Sequence, residues 1–112
     1  MKTVLITGAA NGIGRVLAQA ALAKGHRVLA MDLPGEDAAL QSLVAEAPGQ
    51  VMAQHGDITS SEQCLAAVAA CRAAFGRVDV LVNNAGLGMG SIYGEDEPPP
   101  FWQLPEAGWD RL

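Results

Sequence analysis

Thr7-Gly8-Ala9-Ala10-Asn11-Gly12-Ile13-Gly14 is the stretch that decides the fold, set between an apolar run from Val4 to Ile6 and an amphipathic one from Ile13 to Ala23. Strand, glycine turn and helix in that order build a site for phosphate. A helix N-terminus carries unpaired backbone N–H groups and about half a positive charge, and residues without a side chain let a pyrophosphate come close to them. Gly8 serves the sharp exit from the strand, Gly12 the close approach of the ligand, and Gly14 the packing of helix on sheet. Ordinary surface turns also gather glycine. Here a strand precedes, a helix follows and an acid, Asp32, ends the next strand, and that context favours the phosphate reading.

Outward from this turn, Lys2 to Thr7 is the first strand. Its consecutive Val4, Leu5 and Ile6 suit a strand of a parallel sheet, buried on both faces. The helix after the turn carries Ile13, Val16, Leu17 and Ala20 at i, i+3, i+4 and i+7, a stripe expected to face the sheet. Lys24-Gly25 ends it with a cation near the negative pole and a glycine cap. His26 to Met31 is the second strand, and it stops at Asp32. Leu33-Pro34-Gly35 leads into a second helix, Glu36 to about Ala47, with Leu40, Leu43, Val44 and Ala47 repeating the helical stripe. Pro48-Gly49 breaks it, and Val51 to His55 is a short third strand before Gly56-Asp57-Ile58. Ser60 with Gln63 has the capping-box spacing, so a third helix starts there and runs to Phe75. Gly76 closes it, Val78 to Val82 is the fourth strand, and Asn83-Asn84-Ala85-Gly86 follows.

Four strands separated by three helices, with short loops, specify an α/β fold with a doubly wound parallel sheet. Right-handed crossovers and a reversal after the third strand give the strand order 3-2-1-4. The ligand crevice then lies above strands one and four, where Gly8 to Gly14 and Asn83 to Gly86 both fall. The whole chain reads as one domain, with a dinucleotide-binding core over 1–86 and a loop rich in glycine, proline and acid over 87–105. Residues 106–112 read as the start of a further helix. Pro98 to Pro100 is expected to be an extended spacer. Phe101, Trp102 and Trp109 form an aromatic end that suggests a docking edge.

A chain of 112 residues, half of them apolar, supports one domain with a real core. The formal charge of -5, with no cluster of Lys and Arg, argues against nucleic acid and against anionic membranes. No apolar stretch approaches the ~20 residues of a membrane span. Lys2 and the residues after it faintly resemble a signal peptide, but Gly8, Asn11, Gly12 and Gly14 interrupt where an apolar helix has to continue. Cys64 and Cys71 are seven residues apart on one predicted helix, about 10.5 Å along its axis. A disulfide needs Cα atoms within about 7 Å, so these two do not pair. They read as small buried or half-buried residues in a reducing, cytoplasmic compartment. His26 and His55 have no metal-ligand spacing and read as a turn and a strand-end histidine.

Asp32 lies eighteen residues after Gly14, close to the ~20-residue spacing at which an acid meets the adenosine ribose hydroxyls. A carboxylate there accepts from the 2′-OH and repels a 2′-phosphate, selecting NAD over NADP. Arg15 complicates this, because a cation near the pyrophosphate helps either cofactor. Leu33, and no basic residue, follows Asp32. Asp57 could accept from the exocyclic amine of adenine while Ile58 packs on the ring. Asp57 also reads as a plain helix-approach aspartate.

Thr7 to Gly14 with its Gly-x-x-x-Gly-x-Gly spacing, Asp32, Asp57-Ile58 and Asn83-Asn84-Ala85-Gly86 together resemble the short-chain dehydrogenase/reductase family, whose fold is Rossmann-like. The resemblance spans Lys2 to Gly86, and Gly108-Trp109-Asp110-Arg111-Leu112 is similar to the start of the family's next helix. It implies that the backbone at Gly8, Ala9, Ala10, Asn11 and Ile13, with Gly12 and Gly14, holds the pyrophosphate side. Asp32 would take the adenosine ribose, with Leu33 after it also in the cofactor-binding set, and Asp57 and Ile58 the adenine. Asn84, Ala85 and Gly86 would border the nicotinamide half, with Asn83 stabilising the central strand. Family enzymes move a hydride between nicotinamide and a carbonyl or alcohol, with a proton handled by a Tyr that a Lys four residues on makes more acidic, assisted by Ser and Asn. Tyr93, the sole tyrosine, has Glu97 four residues on, and Ser91 lies in the loop beside strand four. The expectation is therefore an NAD-binding N-terminal portion of a longer enzyme, with no catalytic residue of its own and inactive as it stands. The alternative is a non-catalytic dinucleotide-binding or redox-sensing module that docks on another chain. In either case the open edge of strand four is expected to drive association.

Overall fold

The apolar run after Lys2 forms β1 (Thr3–Thr7), all five residues buried, at the centre of a parallel sheet ordered β3-β2-β1-β4. The computed structural model describes residues 1–86, 100–103 and 106–107. After β1 come α1 (Gly12–Ala23), β2 (Arg27–Asp32), a 3₁₀ turn (Pro34–Glu36), α2 (Asp37–Glu46), β3 (Val51–His55), α3 (Ser61–Phe75) and β4 (Val80–Val82). β1 pairs with β2 from Thr3↔Arg27 to Thr7↔Met31 and with β4 at Val4↔Val80, Leu5↔Leu81 and Ile6↔Val82. The order 3-2-1-4 inferred from sequence is the observed one.

The sheet separates two apolar clusters. On one side Val4, Ile6, Val28, Ala30 and Val51 meet Ala18 of α1 and Leu40 and Leu43 of α2. On the other, Leu5, Leu29 and Met31 meet Ala67 and Cys71 of α3, the one helix on that face among the described residues. Burial at Cys71 pushes its thiol pKa up, which keeps it a protonated packing group.

Three local expectations are corrected. The stripe on α1 does not face the sheet. Ile13 and Val16 are 72% and 63% exposed, Leu17 and Ala20 are exposed as well, and the buried residues of α1 are Gly14 and Ala18. The reason is distance: α1 begins so close to β1 and β4 that only small side chains fit beneath it. The second helix begins as a 3₁₀ turn and becomes α-helical only at Asp37, with Pro34 near its start, where the missing N–H costs nothing. β4 is shorter than the Val78 to Val82 run expected from sequence, and its Leu81 is 54% exposed. Its shortening has a cause at Asp79. The Asp79 carboxylate accepts from the Thr3 N–H at 2.7 Å and from Arg77 Nε at 2.7 Å, while the Asp79 N–H donates to Thr3 O at 2.9 Å. The Thr3 N–H, and after it the Arg77 guanidinium, hold the Asp79 carboxyl below its ordinary range against the opposing effect of burial. Val78 still packs in the α3-side cluster.

The helix stops match their residues. Ser60 caps α3 by accepting from the Gln63 N–H at 3.2 Å, and Gly76 ends it in the left-handed region at φ 84°. The capping box is half made, because Gln63 Oε1 accepts from the Asp57 N–H at 2.7 Å instead of from Ser60. Phe101–Gln103 forms a further 3₁₀ turn, and Glu106 and Ala107 are helical. Tyr93, Ser91, Pro98 and Pro99, Trp109 and the rest of the expected loop and last helix lie outside the described residues.

Candidate functional site

At the C-terminal end of the sheet the turns after β1, β2, β3 and β4 surround one cavity of about 630 Å³. Brought to its walls from the sequence-predicted set are Gly8, Asn11, Asp32, Leu33, Asp57, Ile58, Asn84, Ala85 and Gly86. Ala9, Ala10, Gly12, Ile13 and Gly14 belong to the same turn and helix start but do not line it.

The turn after β1 is drawn tight by the β4 side. Gly8 has φ 67°, and a Cβ added there meets Ala85 Cα at 2.9 Å. A Cβ on Gly14 meets Asn84 Nδ2 at 2.6 Å and the Gly8 carbonyl carbon at 2.8 Å. Both positions therefore exclude any side chain, for reasons of space at Gly14 and of space and backbone conformation at Gly8. Thr7 Oγ1, buried, accepts from the Asn84 and Ala85 N–H groups at 3.1 Å each and donates to Val82 O at 3.4 Å. Asn84 Nδ2 donates to Gly8 O at 3.2 Å. The amide that ties strand to strand is thus that of Asn84, whereas Asn83, assigned that task from the resemblance, is exposed and lines a smaller cavity of about 280 Å³ on the α3 side with Cys64 and Val68.

The β2 side holds the turn by its backbone. The Ala9 N–H donates to Met31 O at 3.2 Å, and the Ala10 N–H donates to Asp32 Oδ2 at 2.9 Å. These two amides, buried and already paired, are engaged in holding the turn. The first N–H groups of α1, Gly12 onward, have no partner one turn back within the helix, and Asn11 at its N-cap makes no side-chain cap. Those donors, with the positive end of the helix, suit a diphosphate.

Asp32 is positioned by two main-chain bonds, from Ala10 N–H to Oδ2 and from Leu33 N–H to Oδ1 at 2.8 Å. A carboxylate has about four acceptor sites, so capacity remains for a diol. Arg15 is turned away from the cavity. Its Nη1 donates to Ala39 O at 2.8 Å and Ala10 O at 3.2 Å, and its Nη2 donates to Ser42 Oγ at 3.1 Å and lies 3.7 Å from Glu46. The cation that complicated cofactor choice therefore ties α1 to α2. Asp57 Oδ1 accepts from the Thr59 N–H at 2.9 Å and hydroxyl at 2.7 Å, which lowers its carboxyl pKa. That is the helix-approach geometry, and Asp57 still lines the cavity beside Ile58. His26 Nδ1 accepts from the Lys2 N–H, and His55 pairs with Asp37.

Sequence reasoning missed Thr7, Met31, Glu36, Gly56 and Thr59 on the cavity wall. Met31 is the last residue of the expected second strand, and Glu36 follows Asp32 by one short turn, a spacing that a search for an acid after the second strand could have included. Among the described residues no helix is long and apolar enough to cross a membrane.

Residues 2–112 match the family model described as short chain dehydrogenase. The D-threitol dehydrogenase of Mycolicibacterium smegmatis is 43% identical over 89 residues, covering 77% of this chain and 34% of that protein. The 3-oxoacyl-[acyl-carrier-protein] reductase FabG of Thermotoga maritima is 42% identical over 114 residues, covering 99% of this chain and 42% of its own length. A 3-ketoacyl-(acyl-carrier-protein) reductase from Brucella melitensis, solved in complex with NADH, superposes with a TM-score of 0.80 at 32% identity, over 98% of this chain and 42% of that one. The chain thus spans about a third to two-fifths of the length of these relatives.

Proposed function

The chain belongs to the short-chain dehydrogenase family, and from that premise we propose that residues 1–86 are an NAD-binding core and that the complete enzyme moves a hydride between nicotinamide and an alcohol or carbonyl carbon. The observation that carries the cofactor preference is the Asp32 carboxylate at the cavity wall with Arg15 turned onto α2. The α1 N-terminus would hold the diphosphate, Asp32 and Leu33 the adenosine ribose, Asp57 and Ile58 the adenine, and Asn84 to Gly86 the nicotinamide half. The dinucleotide supplies the hydride or takes it up. These residues bind and orient it, and they exclude a second phosphate on the ribose by charge.

Proton transfer to the substrate falls to residues beyond this set. Tyr93 is followed four residues on by Glu97, so the Tyr-x-x-x-Lys pair is absent from the 112 residues, and by themselves they are proposed to bind without turnover. Two free thiols, Cys64 and Cys71, support placing the protein in the cytoplasm. Titration of the purified protein with NADH and NADPH, followed by nucleotide fluorescence, tests the reading. NADH binds the more tightly, and Asp32→Ala weakens NADH by about tenfold, a loss of roughly 1.4 kcal/mol, while narrowing the gap to NADPH. An unchanged ratio after that substitution refutes the assignment.

The bared edge favours a second reading, a binding module that docks on another chain. Leu81 is more than half exposed and β4 has no partner beyond it among the described residues. Unpaired strand edges of this kind recruit a further strand. Association through β4 predicts a concentration-dependent sedimentation coefficient that Leu81→Lys reduces to that of the monomer. A wild-type protein that stays monomeric across the concentration range removes this reading.

A further inference from the structure

The geometry points to Glu36 as a second determinant of dinucleotide choice, acting beside Asp32 against a 2′-phosphate. This rests on the dinucleotide reading of the cavity. Asp32 and Glu36 both line it. Glu36 is the last residue of the 3₁₀ turn that follows β2, where its N–H donates to Leu33 O at 2.9 Å, so its backbone is fixed relative to Asp32. Its side chain is fixed as well, because Asn11 Nδ2 donates to Glu36 Oε2 at 2.7 Å. Asn11 is the N-cap of α1, and this bond bridges the glycine turn and the segment after β2 on the side where the adenosine ribose is assigned.

Among the described residues no cation balances the charges around this rim. Arg15 is committed to Ala39 O, Ala10 O, Ser42 and Glu46. His55 pairs with Asp37, which does not line the cavity. The donors that reach Asp32 and Glu36 in the structure are neutral amides, of Ala10, Leu33 and Asn11. A 2′-phosphate brings roughly 1.5 to 2 negative charges to that rim, as a phosphorylated hydroxyl does, and a 2′-OH brings none. Glu36 therefore acts on one dinucleotide and not on the other. Removing Asp32 alone leaves a carboxylate in place, so the preference outlasts that substitution in part.

Glu36→Gln separates charge from structure, since its amide oxygen still accepts from Asn11. With the affinity of NADH within about twofold of wild type, NADPH binding is expected to tighten by about three- to fivefold, the upper end of what one exposed charge contact is worth. The gain shrinks as salt is raised from low to about 0.5 M, because exposed charges are screened. Combined with Asp32→Asn it brings the two dinucleotides closer than either change alone. Glu36→Ala, which also loses the Asn11 bond, shifts the ratio in the same direction. If Glu36 only holds the turn, Glu36→Ala weakens both dinucleotides together and Glu36→Gln changes neither, and the proposal is overturned. Wild-type protein that binds NADH, with an unchanged NADPH to NADH ratio in Glu36→Gln, overturns this inference alone. Wild-type protein that binds neither dinucleotide overturns the underlying reading, and this one falls with it.

Discussion

Gly14→Ala abolishes NADH binding and lowers folding stability by about 3 kcal/mol, the upper end of what overpacking a close contact costs. The added methyl has nowhere to go. It meets Asn84 Nδ2 at 2.6 Å and the Gly8 carbonyl carbon at 2.8 Å, with the Gly8 oxygen closer still. Backbone cannot rotate aside as a side chain can, so α1 has to lift from the β1 turn. That lift moves the N–H groups proposed to bind the diphosphate. It also breaks the Asn84 to Gly8 bond, which ties β4 to the turn. Gly35→Ala is the matched control, because a Cβ there meets nothing within 4 Å, and its effect stays within about 0.5 kcal/mol. Urea unfolding followed by circular dichroism, together with NADH titration of both variants, checks the pair. A Gly14→Ala protein that binds like wild type refutes the close-approach argument.

Thr7→Val costs about 1 to 3 kcal/mol although it preserves shape. The buried hydroxyl uses its whole capacity, accepting from the Asn84 and Ala85 N–H groups and donating to Val82 O. A methyl in its place leaves the Ala85 N–H unpaired, at roughly 1 to 3 kcal/mol when kept from water, whereas the Asn84 N–H keeps its bond to Val82 O at 3.1 Å. Thr7→Ser keeps the hydroxyl and loses under about 1 kcal/mol. Urea unfolding of the two variants separates the hydrogen bonds from the packing. A loss in Thr7→Ser as large as that in Thr7→Val would assign the effect to packing at this position instead of to the hydroxyl.

Some of this was legible before any coordinates, and the division follows the range of the interactions. Glycine spacing, the acid at the end of β2, the Ser60 cap and the Gly76 stop are local choices, and a short stretch of sequence records them. Strand order was also recoverable, because the handedness of crossovers constrains topology without reference to particular side chains. The buried face of α1 was not. Periodicity shows that Ile13, Val16 and Leu17 share a side, but the side that meets the sheet is decided by how near the helix comes, and Gly14 and Ala18 win because they are small. The open edge of β4 followed from the strand order, but its shortening did not, because that depends on the Asp79 carboxylate meeting the Thr3 N–H seventy-six residues away. Arg15 and Glu36 depended on partners more than twenty residues away in sequence, Ala39 for one and Asn11 for the other.

β4 meets β1 in three residue pairs, whereas β2 meets both β1 and β3 in five. The cleft therefore has one firm bank and one that breathes, because a short ladder at a sheet's rim opens at the least cost. Asp32 and Asp57 stand on the firm bank, and Asn84 to Gly86 on the other. An adenosine fragment can settle without steadying anything, but a molecule that reaches across must also quieten the far side, and part of its grip is consumed in doing so.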